Sequence, residues 1–224
     1  MRHNNSLENV ETEGLDKIKA IVIGASAGGI DALKKILPFL PKTYPLPIII
    51  VLHIRADEPS YLSQIFATET GLLVKDADEK ESVQSGTIYF APPSYHLLIE
   101  RDLTFSLSTE EPVKYSRPSI DVLFESAADA FGANLLGIIL TGANSDGAEG
   151  LKRIRQRGGL AIIQDPESAQ ARSMPDAACE AVGSSNAKVL ALDEIKDFLL
   201  GIIPDWLEEE KSTSESSSAK GAIA

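Results

Sequence analysis

Apolar positions along the chain alternate between short β-branched runs and helically spaced sets. Lys19-Ala20-Ile21-Val22-Ile23 reads as a strand, stopped by glycines at 24, 28 and 29. Ile30, Leu33, Ile36, Leu37 and Leu40 then recur at helical spacing as far as Pro41. Pro47-Ile48-Ile49-Ile50-Val51-Leu52 is apolar without alternation, the mark of a strand covered on both faces. A helix is predicted next, starting near Pro59-Ser60, with Leu62, Ile65 and Phe66 facing inward. Residues 87–90, 95–100 and 103–107 are strand-like and joined by turn residues such as Arg101-Asp102, which predicts an antiparallel middle section.

Ser119 is placed to cap a helix containing Ile120, Leu123, Phe124 and Ala127. Residues 135–140 form a further buried strand, followed by a helix running to about Gly158 and a strand at 160–163. A helix at 174–181, a short strand at 188–192 and a last helix at 194–203 complete the pattern. Strands separated by helices in this way imply βαβ units. The predicted fold class is α/β: a doubly wound, mostly parallel sheet with helices on both faces and a small antiparallel hairpin section.

Composition sets the boundaries of that domain. Residues 1–18 are polar, and residues 205–224 are rich in Ser and Glu, too poor in apolar surface to offset ordering entropy. Both ends are expected to be disordered, leaving one domain over residues 19–204. With 33 acids against 21 Lys+Arg, the formal net charge of -12 argues against a nucleic-acid or anionic-membrane partner. Apolar stretches such as residues 46–52 fall far short of the roughly 20 residues a membrane span needs. The first six residues carry no apolar signal region, so a cytoplasmic location is expected. Cys179 is the single cysteine, which excludes an intramolecular disulfide framework and a cysteine metal cluster.

In open α/β sheets reactive groups collect just past the carboxyl ends of the strands. Three such ends carry Ser26 in Gly24-Ala25-Ser26-Ala27-Gly28-Gly29, His53, and Asp146 in Thr141-Gly142-Ala143-Asn144-Ser145-Asp146-Gly147. Gly24 to Gly28 fits Gly-x-Ser-x-Gly on a strand–turn–helix, the setting of an exposed nucleophile with helix N–H groups behind it. The same turn also reads as a glycine-rich phosphate cradle, although Ser26 replaces the middle glycine of the dinucleotide fingerprint. Of the three histidines, His3 lies in the polar N-terminus and His96 reads as a packing residue of the hairpin section with a lesser claim to line the site, while His53 at a strand end reads either as a structural hydrogen-bonder or as the one candidate base close to Ser26. Asp121 and Asp165 are alternative carboxylates, and Asn-Ser-Asp-Gly is equally good turn chemistry. Lys152, Arg153, Arg155 and Arg157 read as a solvated helix face or as a docking patch for an acidic partner near the active-site edge.

At these residues the chain resembles the chemotaxis receptor methylesterases, the CheB family. The three segments above match the family's serine, histidine and aspartate segments. Tyr89-Phe90-Ala91-Pro92-Pro93 with His96, Arg117-Pro118-Ser119-Ile120-Asp121-Val122-Leu123-Phe124 and Met174-Pro175 agree as well, in order over residues 19–203. The resemblance implies a serine esterase that hydrolyses glutamate γ-methyl esters on cytoplasmic helices of chemoreceptors, releasing methanol, with receptor glutamine deamidation in some members. Ser26 is then the nucleophile, His53 the base and Asp146 its orienting carboxylate. Ala27 and Ala143 would supply oxyanion N–H groups, with Thr141 on the substrate side, and no metal or organic cofactor is needed. The family usually has Met-Gly where this chain has Ala143-Asn144, and often Thr at Ala27. Residues 1–18 are too few for the receiver domain of typical members, which leaves a stand-alone esterase, an excised domain, or one regulated in another way, a separate regulatory protein being one such way. The alternative is a catalytically weak member that docks on receptors or partners.

Overall fold

In the computed structural model, which describes residues 17–53, 61–183 and 185–202, the apolar runs become the strands of a parallel sheet. Its members are β1 (Ala20–Ala25), β2 (Ile48–Leu52), β3 (Leu73–Asp76), β4 (Thr87–Phe90) and, after the hairpin pair β5 (His96–Ile99) and β6 (Phe105–Ser108), β7 (Leu135–Ile139), β8 (Leu160–Gln164) and β9 (Lys188–Leu190). The seven sheet strands run in the order β3-β4-β2-β1-β7-β8-β9, and every pairing is parallel. β5 and β6 pair antiparallel beside it.

Six α-helices connect these strands among the described residues: α1 (Gly29–Lys34), α2 (Leu62–Glu69), α3 (Ile120–Phe131), α4 (Ala148–Gln156), α5 (Ser173–Val182) and α6 (Leu192–Gly201). One face of the sheet packs Ile21, Ile23, Ile48, Ile50 and Ile138 against Leu33 of α1, Phe66 of α2 and Leu199 of α6. The other packs Val22, Ile49, Val51 and Ile139 against α3, α4, α5 and the hairpin, through Phe124, Leu151, Ala178 and Phe105. Each such side chain contributes about 1.5–3 kcal/mol on burial. α1 leaves β1 on the first face, whereas α4 leaves the neighbouring β7 on the second. The chain thus reverses its direction of winding between β1 and β7, and a crevice opens past their carboxyl ends.

Four expectations change. The helix predicted up to Pro41 stops at Lys34 and is followed by a 3₁₀ turn, Leu37–Phe39. Pro38 has no N–H to give and disfavours helical backbone at Leu37. Residues 87–90, grouped by sequence with an antiparallel section, are a buried inner strand between β2 and β3. Strand β3 has no counterpart in the sequence reading. Ile65 is exposed, so Leu62 and Phe66 alone carry the inner face of α2. At the N-terminal boundary Ile18 already packs into the core. The remaining expectations for residues 1–16 and 203–224, and the helix start at Pro59-Ser60, lie outside the described residues.

Candidate active site

Strand register brings Ser26 and His53 side by side. Ala25 of β1 pairs with Leu52 of β2, so the next residue on each strand is Ser26 and His53. The ladder extends past the strand ends on both sides. His53 N–H donates to Ala25 O at 3.0 Å, and Ser26 N–H donates to Thr141 O at 2.9 Å. Gly28 closes the turn at φ +79°, where a Cβ would also lie 2.6 Å from Gln170 Oε1. Only glycine meets both conditions without strain.

Thr141, expected to face the substrate, is 2% exposed. Its hydroxyl donates to Ala27 O and accepts from Ala171 N–H, both at 2.8 Å. It therefore braces the serine turn against the loop after β8. Ala27 and Ala143 are exposed, and their N–H groups have no acceptor among the described residues. Both N–H groups are open to an acceptor from outside the chain. α1 is only six residues long, so the helix behind Ser26 is a weaker electrostatic aid than its sequence implies.

His53 Nε2 lies 2.9 Å from Asp146 Oδ2. An ionised carboxylate only accepts, so Nε2 carries the proton and Nδ1 keeps the lone pair. The nitrogen left to accept a proton is thus Nδ1, and Ser116 Oγ lies 3.5 Å from it. The Ser26 hydroxyl has no hydrogen bond among the described residues; catalytic contacts of this kind commonly tighten once substrate is seated.

Asp146 is fully buried and saturated with donors. Oδ2 also accepts from Ile120 N–H at 2.7 Å. Oδ1 accepts from Ser119 Oγ–H at 2.9 Å and Asp121 N–H at 3.1 Å. Burial pushes its carboxyl up, but the bonds from His53, Ile120 and Asp121 prevail and hold it below the usual carboxylate range. The carboxylate sits at the N-terminus of α3, where the helix dipole favours an anion. Asn144, standing in place of a glycine, accepts the Asp146 N–H through Oδ1 at 3.2 Å, and its own φ is not positive. Asn144 therefore fits the loop without a left-handed backbone.

The other candidate carboxylates go elsewhere. Asp121 pairs with Lys114 Nζ at 2.8 Å and accepts Gly150 N–H at 2.8 Å. Burial pushes its carboxyl up against those two partners. Asp165 accepts Glu167 N–H in a turn after β8. His96 is buried, with Nε2 3.1 Å from Glu111 O and Nδ1 accepting Ser119 N–H at 3.2 Å. It supports the segment that holds Asp146. The basic cluster lies in the later turns of α4, which leads away from the Asp146 loop toward the start of β8. Arg153 and Arg157 pair there with Asp129, and Lys152 with Glu149. It is not a patch at the active-site edge.

A cavity of about 300 Å³ joins these parts, lined by Ser26, Gly28, Gly29, Ile30, Asp31, Leu52, His53 and Gln170. Asp31 sits in the first turn of α1, and its charge opposes the phosphate reading of the glycine turn. Sequence reasoning missed Ser116, Lys114 and Gln170, which no motif marks. It found Ser119 as a helix cap but not its second bond to Asp146.

Comparison with known proteins gives a consistent result. The family model described as CheB methylesterase matches residues 21–199. A chain from Leptospira interrogans (serogroup Icterohaemorrhagiae, serovar copenhageni) is 50% identical over 191 residues, covering 85% of this chain and 98% of that one. Protein-glutamate methylesterase/protein-glutamine glutaminase 2 of Methanospirillum hungatei JF-1 is 44% identical over 161 residues, 72% of this chain but 46% of that one. The crystal structure of the Thermotoga maritima CheB methylesterase catalytic domain superposes with a TM-score of 0.76 at 30% identity, covering 83% of this chain and 99% of the other. With the family model matching most of its length and this fold in common, the chain belongs to the CheB methylesterase family and is a hydrolase.

Proposed function

We propose that this chain hydrolyses γ-methyl esters of glutamate side chains on the cytoplasmic helices of chemoreceptors, releasing methanol, in chemotactic adaptation. Ser26 Oγ attacks the ester carbonyl as its proton passes to His53 Nδ1. His53 then protonates the departing methoxide, leaving an acyl-serine. Water attacks that acyl group, again with His53 taking the proton, and releases glutamate and free Ser26. Asp146 fixes the imidazole and offsets the charge it gains. The N–H groups of Ala27 and Ala143 receive the oxyanion, each such donor lowering the barrier by about 3–4 kcal/mol. Attack on a glutamine amide follows the same course with ammonia as the leaving group. The enzyme acts in the cytoplasm.

The observation that carries this reading is the 2.9 Å bond between His53 and a fully buried, fourfold-bonded Asp146, one residue beyond the register that seats Ser26. The test is methanol release from methylated receptor membranes. Wild type is expected to release it and Ser26→Ala to fall to background. A folded wild type that neither releases methanol nor reacts with a fluorophosphonate through Ser26 sinks the proposal in favour of a docking-only member.

A further inference from the structure

Between the hairpin section and α3 the chain makes a tight reversal. Val113 and Ser116 exchange both backbone hydrogen bonds, at 3.1 and 2.9 Å, and the two residues between them, Lys114 and Tyr115, have φ +47° and +65°. That is a type I′ turn, which ordinarily takes Asn-Gly because both positions are left-handed. Here it is built from two large side chains, each of which resists that backbone conformation.

One of the two side chains explains its place within the molecule. Lys114 Nζ bonds Ser145 O at 2.9 Å and Asp121 Oδ2 at 2.8 Å, tying the turn to the Asp146 loop and to α3. Ser116 reaches His53 Nδ1, and Arg117 Nη1 donates to Thr109 O and Glu110 O at 2.7 and 2.9 Å. The tip is therefore anchored on both sides. Tyr115 takes part in none of this: its relative exposure is 102%. A strained, pinned turn thus holds out an aromatic side chain that makes no use of the fold's own surface. Tyrosine gives a large contact area with only two side-chain torsions to immobilise, which suits it to recognition.

We infer that Tyr115 is a docking residue for the protein substrate, packing on the helix that carries the esterified glutamate. The inference rests on the proposed function and deepens it. Its occupant follows from continuity with the site. Consecutive Cα atoms are about 3.8 Å apart, and Tyr115 directly precedes the residue that touches the catalytic imidazole. A helix whose glutamyl ester enters the Ser26–His53 cavity places its next one or two turns, at about 5.4 Å each, within reach of the phenol ring. A small or apolar residue three or four positions from the ester lies on the same helix face and meets the ring.

The test uses Tyr115→Gly, which removes the ring while suiting the left-handed backbone, so the turn survives. Methanol release from methylated receptor membranes is measured beside hydrolysis of p-nitrophenyl acetate. KM for receptors is expected to rise about tenfold, the cost of truncating an interface anchor. kcat on receptors and the rate on the small ester are expected to stay within twofold, and Tyr115→Phe to keep most of the affinity. An unchanged receptor KM in Tyr115→Gly overturns the inference. So does an equal fall on both substrates, which would mean the turn acts only through His53. A wild type that cleaves p-nitrophenyl acetate but releases no methanol from receptors is a separate result: it removes the functional reading and the docking assignment with it.

Discussion

Asp146→Asn probes the site most sharply, because the four bonds to Asp146 leave an amide no good orientation. If the amide nitrogen takes the Oδ2 position, it faces Ile120 N–H at 2.7 Å and forces His53 to present a bare Nε2. The imidazole proton then moves to Nδ1, and the base is lost. If the nitrogen takes the Oδ1 position, it faces Asp121 N–H at 3.1 Å, while the Ser119 hydroxyl can rotate to accept. The second arrangement costs one donor–donor contact, about 1–3 kcal/mol of stability. It keeps the tautomer but removes the charge that offsets the imidazolium. Either way kcat is expected to fall about 10³–10⁴-fold, or about 4–5.5 kcal/mol of barrier. Methanol release gives kcat, and urea unfolding shows that the protein remains folded. Adding Ser119→Ala removes the rotating hydroxyl, so the double variant is expected to lose more stability than the two single losses added together. A folded Asp146→Asn protein turning over within tenfold of wild type refutes the assigned role of the carboxylate.

Ser119→Ala alone removes a helix cap and one bond to Asp146 while leaving His53–Asp146 intact; a loss of about 1–3 kcal/mol in urea unfolding with kcat down by less than tenfold is expected. Gly28→Ala must displace Gln170 and strain a backbone at φ +79°, so fluorophosphonate labelling of Ser26 is expected to slow by at least tenfold, and labelling at the wild-type rate would contradict the turn geometry. Acid stability offers a further check. Asp146 is held below its ordinary range in the folded protein, so its contribution is fully present above the unfolded value near ~4 and is lost as pH falls through the lower native one. Urea midpoints of Asp146→Asn are therefore expected to decline less steeply than those of wild type below about pH 4; parallel curves would be the contrary result.

What the sequence reveals depends on how local each signal is. The runs in β1, β2 and β7 are apolar without interruption, and strand-end logic then places Ser26, His53 and Asp146 without any knowledge of contacts. β3 escapes notice because Leu73-Val74-Lys75-Asp76 is short, half polar and at the sheet edge. β4 reads correctly as a strand, yet periodicity does not say whether its neighbours run parallel. Thr141 occupies a motif that marks the site, but only the fold shows its hydroxyl turned inward to Ala27. The turn at Lys114-Tyr115 carries no glycine or asparagine, so the rule that finds such turns passes over it.

The bonds to Asp146 also bear on how the site comes into being. Three of its four donors belong to residues 119–121, at the entry to α3, and the fourth is the imidazole from the end of β2. The loop after β7, the start of α3 and the tip of β2 thus meet at one carboxylate. In the proposed mechanism, docking of α3 on the sheet and orientation of the base depend on the same bonds, so a partly folded chain with α3 detached is expected to lack an oriented base. On that reading esterase activity is expected to report on α3 packing, and to be lost when that helix lifts even where the sheet beneath it persists.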